Sequence, residues 1–259
     1  MKSQELSSLN ISKLEYIDSG DGTCIIKKYN DDGNGDLIIP SKINGLTVVE
    51  IGDYAFEGCG GFEGSLAIPN DVIRIGEHAF SEVWFEGDLI IPNSVKTIGK
   101  GAFYSCYTYT WDNYIGCLAI PEGVINIEEC AFSECDFIGD LIIPDSVTNI
   151  GAGAFHECSF TGRLKLPSGL TVIEPCAFIG CSGFKGCLTI PDSVTSIGEN
   201  AFYCCRNFSG FLIIPNTVTS IGKDAFYGCE GFDEIIWGDR KINKKIDKKG
   251  GFCYTLWEF

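Results

Sequence analysis

Residues 184–205 read FKGCLTIPDSVTSIGENAFYCC, and two apolar rhythms meet in them. The first, Leu188-Thr189-Ile190, alternates with a period of two and stops at Pro191, which has no N–H to give a sheet. That is the mark of a short strand. The second places Val194, Ile197, Ala201, Phe202 and Cys205 at offsets that, taken alone, fit one face of a helix. Gly198 and the nearness of the next strand leave room for a turn or two of helix at most. The expected unit is a coil of strand, corner and short helical turn.

The unit recurs along the chain, which is the signature of a repeat architecture. Ile/Leu-Pro falls at Pro40, Pro69, Pro92, Pro121, Pro144, Pro167, Pro191 and Pro215. Ala-Phe falls at Phe56, Phe80, Phe103, Phe132, Phe155, Phe178, Phe202 and Phe226. From Pro69 onward, phenylalanine follows proline by eleven residues in every copy; the first copy takes sixteen, with KINGL (42–46) as an extra turn. Eight repeats therefore follow F-x-G-x-L-x-I-P-x-x-V-x-x-I-G-x-x-A-F-x-x-C, with strands starting at Leu37, Leu66, Leu89, Leu118, Leu141, Leu164, Leu188 and Leu212. EIIW (234–237) supplies a degenerate ninth strand.

The I-P, V-x-x-I-G, A-F and C marks at this phase resemble the BspA-like leucine-rich repeat family over residues 14–237. The opening LEYIDSGDGTCIIKKYNDDGNGDLIIPSKINGLTVVEIG (14–52) looks like the hairpin and longer first coil of such domains. The resemblance implies a right-handed α/β solenoid with a parallel sheet of about nine short strands, on the order of 40 Å long at ~4.8 Å per strand. The opening fits an N-terminal β-hairpin cap within residues 1–36, with the repeats over 37–237, and because a solenoid's terminal coil needs cover, a basic linker with an aromatic C-terminal cap is expected over 238–259. Many relatives are bacterial surface proteins implicated in adhesion and host-protein binding, so the resemblance implies a non-enzymatic, protein-binding role.

Composition narrows the function further. A formal net charge of −16 over 259 residues argues against nucleic acid or an anionic membrane as partner, because phosphates need a basic footprint. The exception, DRKINKKIDKKGG (239–251), reads as a solvated surface. MKSQELSSLNISKLEYIDSG (1–20) lacks the apolar core of a leader, and no stretch is long enough to span a membrane. A cytoplasmic protein is expected, or a secreted or surface one from which a leader was removed.

Seven cysteines stand three residues after the phenylalanine: Cys59, Cys106, Cys135, Cys158, Cys181, Cys205 and Cys229. In the remaining repeat that place holds Val83. A place that accepts valine wants a small apolar side chain, so a ladder of free, buried thiols is expected. Stacking would bring neighbours within disulfide reach, yet an interrupted row of seven cannot all pair. So many unpaired cysteines favour a reducing compartment. No C-x-x-C exists and the only histidines are His78 and His156, so neither a metal nor another cofactor is expected. NDDGNGD (30–36) has Asn30, Asp32, Asn34 and Gly35 at calcium-loop spacing, but the closing acid would fall at Ser41, and a turn is the better reading.

No nucleophile elbow, phosphate loop or triad signature departs from the repeat, so no enzyme is expected. One segment does depart. Phe103 to Pro121 is six residues longer than its closest counterparts and carries Tyr104, Tyr107, Tyr109, Trp111 and Tyr114. Either the loop folds back over a neighbouring coil or it binds a partner, since long loops on rigid scaffolds commonly carry function and such rings supply contact area at little entropic cost. A second candidate is the outward face of the sheet, with Ile38, Ile90, Ile142, Lys165, Phe211 and Ile213 beside Asp36, Asp88, Asp140 and Arg163. An apolar stripe of this kind marks a partner site or a surface for self-association. The expected function is an adhesin-like protein-binding module using the 104–116 loop and the sheet face. The alternative is an intracellular scaffold or regulatory interaction protein.

Overall fold

The computed structural model describes residues 9–107 and 115–242. The chain winds into stacked coils, each with three sides. The first side is the expected ladder of short parallel strands. It runs from Leu37–Ile38 through Leu66–Ala67, Leu89–Ile90, Ile115–Ala119, Leu141–Ile142, Leu164–Lys165, Gly186–Thr189 and Phe208–Ile214 to Phe232–Trp237. Where these strands pair, leucine stands beside leucine: Leu37 by Leu66, Leu89 by Leu118, Leu141 by Leu164, and Leu188 by Leu212. The ninth rung puts Ile235 beside Leu212, so the degenerate copy keeps the register.

The second side is a parallel ladder where the helical turn was expected. Ile51, Ile75, Ile98, Ile127 and Ile150 stand in register on successive coils. Ile173, Ile197 and Ile221 form a separate stack beyond them. The physical reason lies at the proline. The N–H of Val95 closes a tight turn on the Pro92 carbonyl at 3.1 Å, and the same turn recurs in every coil from Pro69 to Pro215. Valine therefore enters the core from a corner and isoleucine from the next strand, and a bent chain mimics a helical spacing. Among the described residues the one helical element is the 3₁₀ turn Ile11–Lys13.

The third side carries Ala-Phe. Residues two before and two after each phenylalanine have positive φ, as at His78 (48°) and Glu82 (58°) around Phe80. The two left-handed residues flanking the phenylalanine let three N–H groups aim at the next coil: His78, Phe80 and Glu82 donate to the Lys100, Ala102 and Tyr104 carbonyls, each at 2.8 Å. The arrangement recurs from coil to coil and always runs in the same direction. A left-handed residue other than glycine costs roughly 1–2 kcal/mol, which the inter-coil bonds offset.

Phenylalanine fills the interior. Phe56, Phe80, Phe103, Phe132, Phe155, Phe178, Phe202 and Phe226 form one stack with centroids 5.2–5.5 Å apart. Phe137, Phe160, Phe184, Phe208 and Phe232 form a second. Coils approach closely where the pattern demands glycine: a Cβ on Gly76 would lie 2.6 Å from the Asp53 nitrogen of the coil before it. At the start, Leu14–Asp18 and Thr23–Tyr29 form an antiparallel hairpin whose second strand pairs in parallel with Leu46–Ile51. At the far end, Arg240–Ile242 folds back along Phe232–Trp237. Of the proposed C-terminal cap, residues 243–259 lie outside the described residues. Among the described residues no helix is long and apolar enough to cross a membrane.

Candidate functional site

The expected aromatic loop starts from an edge that is itself aromatic. Tyr54, His78 and Tyr104 come from three successive coils. The Tyr54 and His78 rings stack at 5.5 Å and 12°, and Tyr104 meets His78 edge-on at 6.3 Å. On the coils of His78 and Tyr104, Trp84 and Tyr107 form a second pair, their ring centroids 5.9 Å apart. Trp84 stands four residues after Phe80 and Tyr107 four after Phe103, so the two occupy one repeat position on adjacent coils. Tyr109, Trp111 and Tyr114 lie outside the described residues. Sequence reading treated the rings of the insertion as a group of their own. Reading down repeat positions instead of along the chain would have added Tyr54, His78 and Trp84.

The edge is acidic as well as aromatic. The Tyr54 hydroxyl donates to Glu77 Oε1 at 3.1 Å and the Tyr104 hydroxyl to Glu134 Oε1 at 2.9 Å. Both carboxylates push their phenols above the usual tyrosine pKa, because each favours the protonated hydroxyl that binds it. Asp53, Glu57 and Glu82 stand exposed around the rings. His78 carries its left-handed φ on this edge, with its ring over Gly101, where a Cβ would come within 2.5 Å of it.

The sheet-face residues do not behave alike. Ile90 and Ile142 are 66% and 53% exposed and Phe211 is exposed too, as is Lys165, whereas Ile38 and Ile213 are half-buried. The aspartates among them are engaged in the fold: Asp36, Asp88 and Asp140 accept the N–H of Ser65, Cys117 and Arg163 on the next coil, each at 2.7 Å.

The slot cysteines are buried, and their thiols are donors. Six of them, from Cys106 to Cys229, donate to the phenylalanine carbonyl of the preceding coil at 2.8–3.1 Å. Burial raises the Cys135, Cys158 and Cys205 thiols well above the usual range. Cys59 is pushed up to about 11 by burial, with Asp32 and Asp31 adding to it. Outside the slot, Cys117 and Cys187 are exposed. Among the described residues no group of three or more His, Cys, Asp or Glu side chains is placed to hold a metal ion.

One cluster has the connectivity of a hydrolytic site. Ser133 Oγ lies 3.2 Å from His156 Nδ1, and His156 Nε2 lies 3.6 Å from Glu157 Oε1. Ser133 is 1% exposed, so a substrate has no approach to its hydroxyl. The adjacent amides are also engaged, Ser133 N–H on the Cys130 carbonyl and Glu134 N–H on that of His156, which leaves neither for an oxyanion. The cluster is a hydrogen-bonded seam between two coils.

The repeat geometry agrees with sequence comparison. The family model described as "BspA type Leucine rich repeat region" matches six copies, over residues 49–185, 107–233 and 184–249. The chain belongs to this family. Its fold as a BspA-type leucine-rich repeat protein is similar to that of the T. pallidum leucine-rich repeat protein TpLRR, with 23% identity, 85% of this chain and 88% of that chain covered, and a TM-score of 0.58. A leucine-rich repeat protein from Bacteroides ovatus ATCC 8483 is also similar, at 26% identity, 87% of this chain and 70% of that one, and a TM-score of 0.50. A comparison with curated proteins found no match.

Proposed function

We propose that this BspA-type repeat protein is a protein-binding module whose aromatic, acidic edge holds a basic segment of a partner. The observation that carries the reading is the run of Tyr54, His78 and Tyr104 rimmed by Glu77 and Glu134, with the Trp84–Tyr107 pair on the same coils as His78 and Tyr104. Rings on a rigid scaffold attract cations through their faces, and carboxylates beside them select arginine or lysine. Membership of a repeat family used for protein recognition supports this class of function, and the charge of −16 supports a basic partner. An adhesin-like use places that partner on another surface. A scaffold inside the cell is the second reading, favoured by the many thiols that stand free.

The test keeps charge constant and removes rings. An oligoarginine peptide is titrated against the protein and against a Tyr54→Ser/Trp84→Ser variant, followed by calorimetry. Weaker binding by the variant, by about tenfold for the loss of two ring contacts, is the expected result. Equal affinity would mean that charge alone attracts the peptide and that the edge is not the site.

A further inference from the structure

On the leucine ladder, outward residues form two columns, one before and one after each leucine. The column after leucine reads Ile38, Ala67, Ile90, Ala119, Ile142 and Lys165 over the first six coils. Ile90 is 66% and Ile142 53% exposed, and Ala67, Ala119 and Lys165 are exposed. Large and small thus alternate over the first five coils, in register at Ile38 with Ala67 and at Ile90 with Ala119, before Lys165 closes the column. The column before leucine reads Asp36, Ser65, Asp88, Cys117, Asp140 and Arg163. This face matches itself when a second copy is laid over it with the coils in reverse order. Ile90 then meets Ala119 of the second copy, Ala67 meets its Ile142, and Ile38 lies along the stem of its Lys165. In the other column Asp36 meets Arg163, Ser65 meets Asp140, and Asp88 meets Cys117, so no carboxylate faces another. Laying the copies in the same order instead sets aspartate against isoleucine, and burying an unpaired carboxylate is costly.

We propose that the protein forms a weak two-fold homodimer through this face, with its axis parallel to the strands between the third and fourth coils. Such an interface is isologous, each pair occurring twice. Two columns over six strands at ~4.8 Å cover roughly 300 Å² per partner, below the ~800 Å² of a stable pair, so association depends on concentration. This face is distinct from the aromatic edge, and either proposal can fail without the other.

Sedimentation velocity over a concentration series up to about millimolar, with Ile90→Glu as the comparison, tests the idea. The wild type is expected to shift from monomer to dimer with rising concentration. Ile90→Glu, at an exposed site, should keep its circular dichroism and its affinity for the oligoarginine probe while weakening the dimer by tenfold or more. A wild type that stays monomeric throughout, or a dimer that survives Ile90→Glu, overturns the proposal. Register is read with Ala67→Cys/Ile142→Cys in a Cys117→Ser/Cys187→Ser background. These positions lie three coils apart in one chain, too far for an internal bond. Oxidation should give a covalent dimer; its absence at concentrations where the wild type pairs overturns the stated register.

Discussion

Val83 among the cysteines is a small fact with a physical consequence. In the sequence the slot is a place for a small apolar side chain, and the structure adds that the thiol bridges coils by donating to a phenylalanine carbonyl. For three of the six carbonyls that bond is an addition and not a necessity, because a turn N–H already reaches them: Val83 N–H reaches Phe80, Cys181 N–H reaches Phe178 and Cys205 N–H reaches Phe202. Cys205→Val, whose Phe178 acceptor keeps the Cys181 N–H, should therefore lower stability by less than about 1.5 kcal/mol in denaturant melts, as a near volume-conserving exchange. Reactivity follows from the same geometry. Burial raises the thiol pKa of Cys135, Cys158 and Cys205, so at pH 8 these stay protonated as well as shielded. Brief iodoacetamide treatment of the native protein should modify Cys117 and Cys187, which are exposed, and reach the slot cysteines only in denaturant. Native labelling of the slot at the same rate would show that the ladder is not closed.

The Ala-Phe corner is the element that sequence patterns conceal. Its spacing of apolar residues imitates a helix, yet two positions in each corner, two before and two after the phenylalanine, turn into left-handed geometry, occupied by residues as ordinary as Tyr54, Glu82 and Glu157. Nothing in the identity of Glu82 announces a positive φ. Glycine appears at some copies of the position, such as Gly58 and Gly228, and that scatter was the available clue. A direct check follows. Glu82 is exposed, and most exposed substitutions stay within about ±0.5 kcal/mol. Glu82→Val should nonetheless cost about 1 kcal/mol or more, since a β-branched residue strongly resists this backbone. Glu82→Gly should be neutral or stabilising in the same melts. The leucine strands, by contrast, were legible residue by residue, because proline ends each one and the alternation before it has no competing reading. The aromatic edge was half legible: Tyr104 and Tyr107 stood out as an insertion, whereas Tyr54, His78 and Trp84 look like isolated surface residues until the coils are stacked.

At the scale of the molecule, coils touch chiefly their neighbours, with Phe85 and Phe137 meeting at 6.3 Å across the Leu118 coil, so stability is close to a sum of coil terms and interfaces. Phe155 stacks between Phe132 and Phe178 at 5.5 Å on either side, and Phe155→Ala should remove about 3–5 kcal/mol from that region. Hydrogen exchange should then quicken around residues 141–181 while the Leu14–Asp18 and Thr23–Tyr29 hairpin keeps its protection; uniform loss over the chain would argue against independent coils. The one-way run of corner bonds reaches further. In each such peptide the N–H points toward the C-terminal coils and the C=O toward the N-terminal ones, as the Ala79 carbonyl accepts from Phe56 while Phe80 N–H donates onward to Ala102. Aligned peptide units add, here along the solenoid axis and with their positive pole at the C-terminal end. Side chains reinforce the sum, with Asp31, Asp32 and Asp36 near the first coil and Arg240 and Lys241 beyond the last. A single chain is thus an electric dipole that would turn in an applied field, and two chains laid in reverse order would cancel it.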